Sequence, residues 1–136
     1  FRILAVVDNC TRECLALVAD TRPGTAVNVL AQHQLTELFD YQAISEIVGV
    51  EKPDPLLFQV ALDALEIAPQ DYGRVAMVGN NLERDVAGAK RLGLMTIFLH
   101  WNERRRTTPL TDEETPDYTV HNAAEFVALV DRLVGN

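Results

Sequence analysis

The strongest constraint on the fold is a series of short, mostly apolar runs separated by segments with helical spacing. Runs of five or six residues that are rich in aliphatic side chains suit strands buried on both faces of a parallel sheet. Between them, apolar residues recur every three or four positions, which is typical of amphipathic helices. This alternation predicts an α/β domain with a parallel sheet and helices on its faces. The three runs are Leu15–Ala19, Arg74–Gly79 and Leu94–Leu99.

Weaker signals complete the pattern of elements. Pro55 suits the first position of a helix, and Gly93 suits the position just after a helix end. Thr25 is expected to cap the helix that follows a Pro-Gly break. Phe1–Asp8 fits a strand, although a short buried helix fits the same residues. The other predicted elements are strands at Ala43–Ser45 and Asp117–Val120, and helices at Pro55–Glu66, Glu83–Leu92 and Ala123–Val134.

Size and charge limit the classes of function. Residues 1–136 make one domain of ordinary length. Twenty acidic residues against twelve Lys and Arg give a net charge of −8. Such a chain repels phosphate backbones, so a nucleic acid is not expected as a partner. The longest unbroken apolar runs have five residues, which is too short to span a membrane.

Cys10 and Cys14 stand four positions apart with no histidine nearby. They could form half of a metal site, but such a site needs about four ligands and the sequence has no second cysteine pair. We therefore expect two reduced thiols, as in a cytoplasmic protein.

Polar side chains lie near the predicted carboxyl ends of the strands, where open α/β sheets place their sites. Asp20 and Thr21 follow the first apolar run, and the turn Gly79–Asn81 follows the second. Asp85 comes shortly after that turn, and Lys52 precedes a proline-flanked helix start. The sequence therefore predicts that these segments meet at one edge of the sheet.

These residue types indicate a pocket for phosphate and magnesium. Carboxylate and amide oxygens suit Mg²⁺, and a lysine offers a point positive charge to a phosphate. Each residue also has a simpler interpretation. Asp85 could be a helix cap, and Lys52 could be a solvated surface lysine.

Two longer motifs resemble those of the haloacid dehalogenase-like (HAD) hydrolases. Gly49–Phe58 is similar to the family's lysine motif, and Val78–Gly93 is similar to its acidic motif with the following helix. Their order and separation also match, and the resemblance runs from about residue 15 to the end of the sequence. It implies a Rossmann-like parallel sheet of HAD type, without the family's N-terminal nucleophile strand and cap.

The resemblance also implies a chemistry, namely phosphoryl transfer through an aspartyl intermediate with the help of Mg²⁺. The implied substrates are small phosphorylated metabolites. At the matching positions, Lys52 would be catalytic and hold the phosphoryl group, and Asn80 and Asp85 would hold the metal. The family usually has an aspartate at the position of Asn80, so weaker metal binding is expected.

Two features depart from the family's pattern. Ala19 stands where the family has a hydroxyl residue, followed by Asp20 and Thr21 as expected contacts of the phosphoryl group. Thr21 could replace the hydroxyl only if the strand end were shifted. The sequence has no Asp-x-Asp nucleophile motif. Asp8 follows an apolar run as a nucleophile would, but Cys10 stands where the second aspartate belongs.

Two hypotheses of function follow, and the sequence leaves open which is correct. In the first, the chain is a Mg²⁺-dependent phosphatase with an incomplete catalytic set. In the second, it is a truncated or chimeric domain without phosphatase activity. Phe1–Thr21 also resembles a segment of the integrase core of insertion-sequence transposases, through Val6–Asp8 and Thr11–Ala16. That resemblance implies a hairpin of two strands and a foreign origin for residues 1–21.

Arg104–Arg106 is a basic run in an acidic chain. It could meet an anionic substrate or partner, but Asp112, Glu113 and Glu114 lie close in sequence and can compensate it, so a solvated loop is favoured. A sheet without its nucleophile strand would expose a strand edge or an apolar face. We therefore expect self-association or reduced stability.

Overall fold

A computed structural model of the chain describes residues 5–8 and 15–135, with side chains from residue 16 onward. Six strands form one sheet in the order β3-β2-β1-β4-β5-β6. The predicted α/β class is confirmed. The strands are β1 (Ala5–Asp8), β2 (Leu15–Ala19), β3 (Tyr41–Ile44), β4 (Val75–Gly79), β5 (Met95–Leu99) and β6 (Tyr118–Val120). The α-helices are α1 (Pro23–Gln32), α2 (Ser45–Val48), α3 (Pro55–Ala64), α4 (Ala87–Arg91) and α5 (Ala123–Gly135).

β1 occupies a central position but runs against its neighbours. It pairs antiparallel with β2, where Ala5 lies opposite Leu17, and antiparallel with β4, where Asp8 lies opposite Val75. The pairs β2–β3, β4–β5 and β5–β6 are parallel. Because β4 begins at Val75 and ends at Gly79, the backbone of Asp8 lies at the opposite edge of the sheet from the carboxyl end of β4.

Two boundary predictions are wrong. α1 begins at Pro23 with Arg22 at its N-cap, so Thr25 lies inside the helix and does not cap it. A proline at the first position already has the backbone angle that a helix start requires. Ser45 is the first residue of α2 and not the end of β3, and its hydroxyl donates to the carbonyl of Thr21 at 3.2 Å.

Alternate residues of the strands pack against helices on opposite faces of the sheet, as the strand period of two requires. One face forms the main core with α3 and α4, and the other carries α1 and α5. The main core includes Ala16, Val18, Leu57, Phe58, Leu62, Met77 and Ala89. The α1 core includes Leu17, Ala19, Ala26 and Leu30, and the α5 core includes Ala76, Ile97, Val120 and Leu129.

Within the part of the chain that the structure describes, no helix has the length and apolar character needed to cross a bilayer.

Candidate functional site

Lys52 lies in the loop between α2 and α3, and local structure fixes both ends of this loop. Gly49 ends α2 with a φ of +94°, in the left-handed region that favours glycine. Asp54 caps α3, because its carboxylate accepts a hydrogen bond from Leu56 N at 2.9 Å, and Pro55 is the first residue of that helix. The loop carries Lys52 to the carboxyl end of β2.

The Lys52 side chain is fully buried and surrounded by oxygen atoms. Its Nζ donates to the carbonyl of Val18 at 3.1 Å. The same Nζ lies 3.3 Å from Oδ1 of Asp85 and 3.9 Å from Oδ2 of Asp20. Burying an ammonium is costly unless it is paired and hydrogen-bonded. These contacts explain how the interior holds this charge, and they exclude the solvated-surface interpretation of Lys52.

Asp85 lies in a single π-helical turn, Leu82–Val86, that leads from β4 into α4. Asn81 caps this turn, since its Oδ1 accepts from Arg84 N at 3.0 Å. The N–H of Asn81 in turn donates to Oδ2 of Asp85 at 3.0 Å. The Asp85 carboxylate is fully buried. Asp85 is therefore the buried counter-ion of Lys52, which goes beyond the role of a helix cap.

Asp20 joins the Lys52 loop to a second cation. Its Oδ1 accepts from the backbone N–H of Lys52 at 2.9 Å. Its Oδ2 lies 3.3 Å from Nη1 of Arg84, which also lies 3.4 Å from a carboxylate oxygen of Glu51. The Asp20 side chain is 7% exposed and that of Arg84 is 37% exposed. Arg84 is thus the solvent-facing cation of this cluster.

Thr21 lies beside an open cleft of about 440 Å³. β2 ends at Ala19, so Thr21 stands two positions beyond the strand. The strand thus ends at Ala19, as predicted, and Thr21 lies outside it. The cleft is lined by Asp20, Thr21, Arg22, Ser45, Glu46, Gly49, Val50 and Glu51.

Asn80 directly follows β4 and is half-buried. Its amide oxygen and the Asp85 carboxylate are donor types that Mg²⁺ accepts, and proteins commonly hold this ion through one or two carboxylates with water and substrate oxygens. Among the described residues, no three His, Cys, Asp or Glu side chains form a metal-binding group. By donor type, Asn80 and Asp85 would supply at most two protein ligands to a magnesium ion, and water and ligand oxygens would complete its shell.

The basic run lies in the segment between β5 and β6 and is fixed there by an acidic residue. Arg106 makes a bidentate ion pair with Glu114, with Nη2 at 3.0 Å from Oε1. Glu114 also accepts from the backbone N–H of Leu110 at 2.9 Å and is 7% exposed. The hydrogen bonds from Arg106 and Leu110 lower the pKa of Glu114. The predicted compensation of the run by nearby acids therefore holds for Arg106.

The sequence model of the haloacid dehalogenase-like hydrolases matches residues 5–93. With the fold and the paired Lys52 described above, the chain belongs to this hydrolase family. The match includes residues 5–21, and a foreign, transposase-like origin of residues 1–21 stays a prediction. Cys10 and Cys14 lie outside the described residues.

Particular relatives include two curated phosphatases. The phosphoserine phosphatase of Thermus thermophilus is 35% identical over 111 residues, which are 82% of this chain and 42% of that protein. The glyceraldehyde 3-phosphate phosphatase of Methanopyrus kandleri is 32% identical over 95 residues, which are 70% and 40%. A HAD phosphatase structure from Thermococcus onnurineus matches with a TM-score of 0.69 and 25% identity, covering 85% of this chain and 49% of that one. The chain thus spans less than half the length of these relatives.

Arg84 and Glu51 are the site residues that sequence reasoning missed. Glu51 lies in the lysine-type motif and Arg84 in the acidic-type motif, but the sequence does not single out either residue as part of a site. Arg84 approaches Asp20 across 64 positions of sequence, and no local spacing signals such a contact. Lys52, Asp85 and Asp20 were predicted to share one edge of the sheet, and the structure brings them into contact.

Proposed function

We propose that the chain carries a phosphatase-type site for small phosphorylated metabolites, centred on Lys52. The observation that supports this proposal is the fully buried ammonium held 3.3 Å from Asp85 at the carboxyl end of β2. A fixed ammonium in such a place is a positive charge ready for phosphoryl oxygens. The names of the phosphoserine and glyceraldehyde 3-phosphate phosphatases support the substrate class.

The charge balance of the cluster determines what an incoming phosphoryl group needs. Lys52 and Arg84 are offset by Asp20, Asp85 and Glu51, so the cluster has no excess of positive charge. A phosphoryl dianion must therefore compete with Asp20 for the two cations. We infer that Asp20 positions the Lys52 backbone, and that it weakens the attraction of the site for the ligand.

Mg²⁺ held by Asn80 and Asp85 would supply the missing positive charge beside the phosphoryl group. An amide carries no charge, so Asn80→Asp should tighten Mg²⁺ binding about tenfold, or ~1.4 kcal/mol. Calorimetric titration with Mg²⁺ alone measures this. Asn28→Asp, an exposed position on α1, makes the same charge change away from the site. Equal Mg²⁺ affinities of the two variants would show that Asn80 is not a ligand of the metal.

Hydrolysis also requires a nucleophile. The 136 residues contain no Asp-x-Asp motif, and the backbone of Asp8 lies at the edge of the sheet opposite the carboxyl end of β4. The direction of β1 therefore favours a second candidate function, in which the chain binds the phosphoryl group without hydrolysing it. Both candidates use the same Lys52.

Hydrolysis of an aryl phosphate and calorimetric binding of inorganic phosphate, each with and without Mg²⁺, distinguish the two. The variants are Lys52→Met, the matched control Lys90→Met, and Asp8→Asn. Turnover lost in Lys52→Met and kept in Lys90→Met would establish the phosphatase, and its loss or retention in Asp8→Asn would show whether Asp8 is the nucleophile. Phosphate binding with the same dependence on Lys52 but no turnover would establish the second candidate.

Lys52→Met also breaks a buried ion pair and so destabilises the folded protein. A second variant that keeps Lys52 is therefore needed. Asp20→Asn retains an acceptor for the Lys52 N–H and removes the competing carboxylate. We expect it to tighten phosphate binding. Phosphate binding that neither Lys52→Met nor Asp20→Asn alters would contradict both candidate functions.

A further inference from the structure

The cleft beside the basic run is distinct from the cleft beside Asp20. It has a volume of about 230 Å³. One wall comes from the residues after β4 and the other from the segment after β5. These two strands are parallel neighbours, so the cleft opens at the edge of the sheet that holds Asp85. The lining residues are Asn81, Leu82, Glu83, Arg104, Arg105 and Arg106.

Two acidic residues near the run, Glu113 and Glu114, bind partners other than Arg104 and Arg105. Glu114 binds Arg106 and Leu110. Glu113 lies 2.9 Å from Nη2 of Arg91 on α4. Among the described residues, Glu113 and Glu114 therefore compensate Arg91 and Arg106, and no ion pair reaches Arg104 or Arg105.

Arg104 and Arg105 are exposed, and in the described part of the chain neither guanidinium makes an ion pair. Glu83 is the one acidic residue in the lining of the cleft. The cleft therefore has an excess of positive charge in a chain whose net charge is −8. The ion pair of Arg106 with Glu114 ties the residue next to Arg105 to the same segment of chain.

This cleft shares a wall with the Lys52 site. Asn81 lines it, and the N–H of Asn81 donates to Asp85, the counter-ion of Lys52. A small ligand whose phosphoryl group lies at Lys52 would extend its other end toward one of the clefts on either side. The cleft beside Asp20 is lined by three carboxylates and one arginine. This cleft is lined by one carboxylate and three arginines, of which Arg106 is paired with Glu114.

We propose that Arg104 and Arg105 form a subsite for a second oxyanion of the ligand, a carboxylate or a second phosphate. The planar fork of a guanidinium matches both groups with paired hydrogen bonds. The proposal rests on the proposed function, because it assumes a phosphoryl group at Lys52. It narrows the ligand class to phosphorylated metabolites that carry a further negative group.

Matched probes measure the subsite by calorimetry. 3-Phosphoglycerate is compared with glycerol 3-phosphate for the carboxylate, and fructose 1,6-bisphosphate with fructose 6-phosphate for the second phosphate. We expect at least one doubly anionic probe to bind about tenfold more tightly than its partner. The double variant Arg104→Gln with Arg105→Gln should abolish that preference and leave glycerol 3-phosphate binding unchanged.

A double variant at exposed positions, Arg74→Gln with Arg132→Gln, removes the same charge elsewhere and should keep the preference. Loss of preference in both double variants would show general electrostatics and overturn the subsite. Binding of single phosphates at Lys52 with no preference for either second anion would overturn the subsite and leave the proposed function standing. Failure of every phosphorylated probe to bind would overturn both.

Discussion

Substitution of Lys52 tests whether its buried ion pair with Asp85 stabilises the folded protein. Lys52→Met leaves Asp85 buried without its cation, and breaking such a pair costs about 3–5 kcal/mol. Lys90, whose side chain is 29% exposed, pairs with Asp117 at 3.8 Å, so Lys90→Met should cost less than about 1 kcal/mol. Urea unfolding of both variants measures the difference. A Lys52→Met variant as stable as Lys90→Met would show that the pair contributes nothing to stability.

Glu114 should make the free energy of unfolding depend on pH. The hydrogen bonds from Arg106 and Leu110 N–H lower its pKa below the ordinary value of 4.5. Because folding lowers this pKa, the stabilisation by the Glu114 carboxylate is complete above the unfolded-state pKa. It is lost as the pH falls through the folded-state pKa. The stability difference between the parent and Glu114→Gln should therefore be largest near neutral pH and shrink as the pH falls below the ordinary carboxyl pKa of 4.5.

Thermal unfolding across that pH range measures the Glu114 effect. Glu37→Gln makes the same change at an exposed residue that has no ion pair among the described residues. Its difference from the parent should stay small throughout. If the Glu114→Gln difference were independent of pH, the ion pair with Arg106 would not be the source of the stabilisation.

At the level of the helices, Gly88 allows α4 to pack closely against Phe58 of α3. A Cβ at this position would lie 2.6 Å from Cε2 of Phe58 and 3.3 Å from Cα of Pro53. Gly88→Ala should therefore destabilise the protein by about 1–3 kcal/mol, because a packed core resists an added methyl group.

Gly24→Ala is the matched control for Gly88→Ala. A Cβ at Gly24, in the first turn of α1, would meet nothing within 4 Å. The change should alter stability by no more than about 1 kcal/mol, in the stabilising direction. Chemical denaturation compares the two. Equal effects of the two substitutions would mean that α3 and α4 are not in tight contact at Phe58.

The elements that sequence predicted well carry strong local signals. Pro55, Gly93 and the apolar runs fix helix starts, helix ends and strands through properties of a few adjacent residues. β1 differs because an apolar run specifies a strand and contains no information on its direction between two neighbours. The ion pair of Asp20 with Arg84 was missed for a related reason, since it forms only when β2 and the turn after β4 come together. Local patterns therefore predicted the parts of the site, and tertiary structure decided their partners.

At the scale of the whole molecule, we expect self-association. The sheet ends in two edge strands, β3 and β6, and Val27, Leu38 and Ile47 are each more than half exposed. Open edges and exposed apolar side chains favour pairing between copies. The net charge of −8 opposes it, so association should increase with ionic strength.

Sedimentation equilibrium at low and high salt, over a range of protein concentrations, tests this expectation. Ile47→Lys should shift the equilibrium toward the monomer. Asn28→Lys adds the same charge to another exposed position and controls for repulsion. A parent chain that stays monomeric at every concentration and salt would contradict the expectation.

The burial of Lys52 has a consequence for covalent chemistry. The sequence contains two lysines, Lys52 and Lys90, and only Lys90 has a partly exposed side chain. An amine-acylating reagent should therefore modify Lys90 readily, while acylation of Lys52 must wait for the site to open. The rate ratio of the two reactions, followed by peptide mass spectrometry, would report the opening free energy of the site. The protein thus contains its own internal reference for accessibility, with one lysine outside the core and one within it.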